Sequence, residues 1–106
     1  MKRWAATCVA IAVALSAAPA LGQESVTVSE LRVTMLSTML TEFRGVGEWG
    51  FSALVEVDGR RILFDTGGRP DAVLQNAEEL GVDLSSVDTV VLSHNHWDHT
   101  GGLDPK

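Results

Sequence analysis

The chain has 106 residues, a formal net charge of −6 at pH 7 and 45% hydrophobic residues, which excludes a disordered composition. Its length suits one small domain or part of a larger one. The acidic balance, with Lys and Arg scattered singly or in pairs and no basic stripe, argues against nucleic acid as a partner.

Residues 1–22 read as a secretory signal peptide. Lys2 and Arg3 supply the positive end, and Cys8 to Leu15 form the apolar core. Ala18-Pro19-Ala20 or Ala20-Leu21-Gly22 offers a small-x-small cleavage site. The rival reading is an uncleaved anchor, since Trp4 to Leu21 is a run of 18 uncharged residues, the bare minimum for a span. Its alanine content and Pro19 favour cleavage, so no stable membrane association is expected afterwards. Cys8, the one cysteine, lies too early for a lipid attachment site and leaves with the leader, so the mature chain makes no disulfide. Loss of Lys2 and Arg3 takes the charge from −6 to −8. The expected location is periplasmic or secreted.

Residues 23–30 form a polar lead-in to the remaining 23–106 domain. Leu31 to Leu36 alternates apolar and polar residues and predicts a first strand. Residues 37–50 read as a loop. Phe51 to Val57 predicts a second strand, Asp58-Gly59 a type I′ turn, and Arg60 to Asp65 a returning third strand. Thr66-Gly67-Gly68 breaks that strand. Pro70 and Asp71 then suit a helix start, Val73, Leu74, Ala77 and Leu80 supply an apolar stripe, and Gly81 a stop, which predicts a helix over 70–80. Val87 to Leu92 predicts a buried strand with a continuous apolar end. The order is β-β-β-α-β, an α/β (α+β) pattern.

All three histidines fall in the segment Ser93-His94-Asn95-His96-Trp97-Asp98-His99-Thr100-Gly101-Gly102. Imidazole and carboxylate are standard ligands for Zn²⁺ and similar divalent ions. His94 and His96 are two apart, so in extended backbone they project to one side and can chelate one ion. Asp98 and His99 are adjacent and must diverge, which suits a second ion, or one ligand and one base. A structural zinc site is disfavoured because such sites are cysteine-rich.

His94-x-His96-x-Asp98-His99 after Leu92-Ser93 resembles the main metal motif of the metallo-β-lactamase fold. Leu63-Phe64-Asp65-Thr66-Gly67 resembles the family's earlier motif, and Thr100-Gly101-Gly102-Leu103 also matches. Gly50-Phe51-Ser52, Asn76-Ala77 and the metal segment together resemble a subgroup that includes archaeal dihydropterin–ribofuranosylaminobenzene phosphate synthase. That subgroup has a histidine where this chain has Trp49, so no substrate is carried over.

The resemblance implies a hydrolase in which metal-activated water attacks an ester, lactone, thioester, amide or phosphoester bond of a small-molecule substrate. It implies two divalent ions, Zn²⁺ first, with Mn or Fe as alternatives. His94 and His96 would bind one, and Asp98 and His99 the other, with Asp98 also steering the nucleophile or passing a proton. Asp65 would orient the loop by hydrogen bonding, or simply cap the turn into glycine. The family supplies further ligands from its second half and folds as a four-layer αββα sandwich. The chain is therefore expected to be a truncated N-terminal half, binding metal weakly and inactive alone. Alternatives are a non-hydrolytic metal-binding or redox member and an inactive metal-binding remnant. Trp49 and Trp97 are candidate pocket aromatics, and Arg44 and Arg69 candidate contacts to an anionic substrate. Oligomeric state has no sequence signal.

Overall fold

The computed structural model describes residues 25–41 and 44–103. The leader expected over 1–22, Cys8 included, lies outside the described residues. The elements are β1 (Leu31–Ser37), β2 (Ser52–Val57), β3 (Arg60–Phe64), α1 (Ala72–Glu79), β4 (Thr89–Val91), α2 (Trp97–Thr100) and a 3₁₀ turn (Gly101–Leu103). The four strands form one mixed sheet in the order β1-β2-β3-β4, with β4 parallel to β3 and the other pairs antiparallel.

The β2–β3 hairpin pairs Val57 with Arg60 around Asp58-Gly59. Both turn residues have positive φ, 47° and 83°, as a type I′ turn requires. The Asp58 carboxylate accepts from the Ser29 and Glu30 amides at 3.0 and 2.8 Å, which ties the lead-in to this turn. β1 pairs regularly as far as Met35↔Ala53, then shifts so that Ser37 meets Ser52. That irregularity ends the ladder where the chain turns into the loop toward residue 50.

Alternation along the strands gives the sheet two different faces. Leu36 and Leu54 face α1 and pack with Val73 and Ala77 as the buried core, while Leu63, Val82, Leu84 and Val87 close its edge. On the opposite face Leu31, Val33 and Met35 of β1 and Val91 of β4 are exposed, with Val55, Ile62 and Phe64 half-buried among them. At the end of that face Ala53 is buried and Phe51 packs edge-on against Phe64, while Leu31, Val33, Met35 and Val91 stay exposed.

Two expectations need correction. The helix spans Ala72–Glu79 rather than 70–80, with Asp71 as N-cap and Leu80 as C-cap. Its inward face is Ala72, Val73, Asn76 and Ala77, whereas Leu74 and Leu80 are exposed. The strand expected over 87–92 is Thr89–Val91, and Val90, Val91 and Leu92 are exposed rather than buried. The reason is positional. α1 packs chiefly over β1 at one edge of the sheet, and β4 is the other edge. Smaller boundary shifts add Ser37 to β1, release Phe51 from β2 and end β3 at Phe64.

Candidate metal centre

Parallel pairing of β3 and β4 matches Phe64 with Val91, so Asp65 and Ser93 leave the sheet side by side. Ligand sites in α/β sheets form at such carboxyl ends of strands. Asp65 adopts φ 56°, a left-handed conformation that aspartate tolerates better than most residues. Three bonds hold it there. Its amide donates to the Val91 carbonyl at 2.8 Å, its carbonyl accepts from the Ser52 hydroxyl at 2.8 Å, and its carboxylate accepts from the Ser93 amide at 2.7 Å.

The same carboxylate, 0% exposed, organises the metal loop. Oδ2 accepts from the Ser93 hydroxyl at 2.7 Å and meets His99 Nδ1 at 2.7 Å. Burial alone would push the Asp65 carboxyl up, but the Ser93 amide, the His99 ring and the Ser93 hydroxyl outweigh it. The group is held below the ordinary aspartate value. His99 thus turns Nε2 outward, 3.6 Å from Asp98 Oδ2. Carboxylate support of one ring nitrogen while the other faces the metal is the usual arrangement around metal-ligating histidines.

His96 is the extended N-cap of α2, with φ −98° and ψ 150°. The bend into α2 brings Asp98 back beside His94 and His96, and one ligand atom from each of the three lies within 4.8 Å of the others. His94 Nε2 and His96 Nδ1 are 3.1 Å apart. Two nitrogens bound to one Zn²⁺ at ordinary lengths and a near-tetrahedral angle would be about 3.3 Å apart, so the pair fits a shared divalent ion. The sequence pairing of Asp98 with His99 is therefore only part of the geometry, because Asp98 borders the His94–His96 pair as well as His99. His94 and His96 are exposed, while Asp98 and His99 are partly buried.

The loop is docked through main-chain bonds. The Phe51 amide donates to the Asp98 carbonyl at 3.1 Å, Thr66 to His99 at 2.8 Å, and Gly101 to Gly67 at 2.8 Å. A Cβ on Gly101 would collide with the Gly68 carbonyl, so only glycine permits this approach. Phe51 also stacks near the His99 ring, with centroids 6.4 Å apart.

Other predicted contacts fall less centrally. Trp97 and Trp49 are exposed beside the loop, where an added Cβ at Gly68 would meet the Trp97 ring. Arg69 pairs with Asp71 at 3.5 Å. Arg44 lines an open groove with Met35, Leu40 and Leu80 that includes no residue of the metal loop. One residue carried no motif signal. Glu48, buried in the loop before β2, accepts from the Gly68 and Arg69 amides. Its only sequence cue is an acidic residue between glycine-rich neighbours, Gly47 and Trp49-Gly50.

The chain is 47% identical over 58 residues to 7,8-dihydropterin-6-methyl-4-(beta-D-ribofuranosyl)-aminobenzene-5'-phosphate synthase of Methanocaldococcus jannaschii, covering 51% of this chain and 20% of that protein. It is 42% identical over 52 residues to ribonuclease Z of Methanopyrus kandleri, covering 49% of this chain and 18% of that protein. A solved metal-dependent hydrolase of the beta-lactamase superfamily matches with TM-score 0.58 and 42% identity, over 70% of this chain and 26% of its own. The chain thus spans about a fifth of the length of the curated relatives it matches. The profile of the metallo-beta-lactamase superfamily matches residues 50–105, from the turn before β2 through the whole metal loop, and the chain belongs to that superfamily.

Proposed function

We propose that the protein is a metal-dependent hydrolase acting on an ester, lactone, thioester, amide or phosphoester bond of a small-molecule substrate, exported to the periplasm or secreted. The observation that carries this reading is the convergence of His94, His96 and Asp98 on one point, beside a His99 held by the buried Asp65. Similarity to a metal-dependent hydrolase and to ribonuclease Z supports it.

His94 and His96 would hold one divalent ion, and Asp98 with His99 would hold a second, with Zn²⁺ as the first candidate and Mn or Fe as alternatives. Such ions supply Lewis acidity and make water available as a nucleophile near neutral pH. Ions at catalytic zinc sites take three protein ligands, and this assignment gives each ion two from the metal loop. Asp98 lies between the His94–His96 pair and the His99 ring, where its carboxylate can orient the attacking water and take its proton. Asp65 and Ser93 keep the loop from turning.

The test uses the protein encoded by the complete reading frame, with chromogenic ester, lactone, thioester, amide and phosphoester substrates. One bond class should be hydrolysed, activity should vanish on chelation and return with Zn²⁺, Mn²⁺ or Fe²⁺, and Asp98→Asn should lower kcat at least about a hundredfold. Hydrolysis that survives chelation, or a metal-loaded protein inert toward every class, would contradict the reading.

A further inference from the structure

Glu48 is a buried carboxylate that the proposed chemistry does not use. Its relative exposure is 9%, and it lies in a loop rather than in an element with a core face. Three donors converge on it. The Ser37 hydroxyl donates to Oε1 at 2.5 Å, the Gly68 amide to Oε1 at 3.1 Å, and the Arg69 amide to Oε2 at 2.6 Å. Its own amide donates to the Thr38 carbonyl at 3.1 Å, which anchors it to the end of β1. A charged acceptor satisfied by main-chain donors is a strong local restraint.

The turn that Glu48 grips is the one on which the metal loop rests. A Cβ built on Gly50 would lie 2.6 Å from the Gly68 nitrogen, 2.9 Å from Glu48 Oε1 and 3.0 Å from the Asp98 carbonyl oxygen. The three groups therefore meet around one bare glycine. From the other side, a Cβ on Gly68 would lie 3.3 Å from Asp98 Cα. The Gly67 amide donates to Phe51, and the Phe51 amide in turn donates to Asp98.

We infer that Glu48 is a positioning residue: it clamps the 67–69 turn and so sets where Asp98 and His99 stand relative to His94 and His96. The inference rests on the metal-binding reading above. Three donors on two oxygens leave no room for an amide. A glutamine at 48 must point its NH₂ at one of those donors, which frees the turn on one side without emptying the site. Residues that orient metal ligands at this remove change metal affinity about 10–100-fold when altered.

The experiment is a Zn²⁺ titration of the full-length protein and its Glu48→Gln variant, with visible spectra of the Co²⁺-loaded forms. Glu48→Gln should keep the wild-type circular dichroism, bind Zn²⁺ about 10–100-fold more weakly and shift the Co²⁺ bands. Arg61→Ala is the control for mere destabilisation. It removes bonds to Glu56, Ser86 and the Asp83 carbonyl far from the loop, and should lower Tm without moving either metal readout. A Glu48→Gln affinity within twofold of wild type, with an unchanged spectrum, would overturn the clamp while leaving metal binding intact. A wild-type protein that binds no metal would overturn both. Should the variant not fold, hydrogen exchange on the wild type decides. Gly68 and Arg69 amides should exchange slowly, and exchange at the rate of open-loop amides would overturn the clamp.

Discussion

Asp65 carries a backbone task and a side-chain task at once. Left-handed φ at a non-glycine residue costs on the order of 1–3 kcal/mol and persists only where its surroundings fix it. Here the Val91 and Ser52 bonds fix the backbone, and the conformation aims the carboxylate at Ser93 and His99. Asp65→Asn replaces an acceptor-only group with one that must turn NH₂ toward a donor. It should weaken Zn²⁺ binding about 10–100-fold and destabilise the fold by about 1–3 kcal/mol, read by metal titration and chemical denaturation. Unchanged affinity would reduce Asp65 to a turn cap. The candidate metal-binding group of His94, His96 and Asp98 was legible in the sequence because histidine and aspartate at that density have few other uses. Glu48 was not, because its donors, on Ser37, Gly68 and Arg69, are brought together only by the fold.

At the scale of elements, the hairpin and α1 bring the site together by different means. Asp58-Gly59 sets the β2–β3 register locally, which is why the strands could be read from sequence. The helix ends and the exposure of β4 could not, since they depend on what covers each face. Leu74 looks like a core residue by composition, yet Asn76 takes the inward place, donating to the Leu36 and Val46 carbonyls at 2.8 Å. That bond ties the loop before β2 to the helix. Leu54 is 0% exposed at the centre of the packed face. Leu54→Ala should cost about 2–5 kcal/mol of stability, measured by denaturant unfolding of the full-length protein, because α1 and β1 both lose their shared contact. A loss below about 1 kcal/mol would mean that the core lies elsewhere.

For the whole molecule, the described residues present one packed and one open sheet face. Leu31, Val33, Met35 and Val91 form an apolar surface of the kind a second layer covers. The chain matches a fifth to a quarter of its relatives' length, in keeping with a share of a larger sandwich. A polypeptide of residues 25–103 should bind an apolar dye such as ANS and self-associate, whereas the product of the complete reading frame should do neither. A monomeric, dye-silent 25–103 polypeptide would show that the open face needs no cover. The sheet with a single helix was legible from the β-β-β-α-β order, whereas the sandwich came only from the resemblance to the metallo-β-lactamase fold.

The central claim is that the His94–His96 pair, bordered by Asp98, is a divalent-ion site, and calorimetric titration of the metal-free, full-length protein with Zn²⁺ tests it most directly. The account predicts saturable binding to wild type and a loss of at least about 2 kcal/mol of binding free energy in His96→Ala, since one of few ligands to that ion is gone. Wild-type protein that takes up no Zn²⁺, or a His96→Ala variant that binds it as tightly as wild type, would contradict the account.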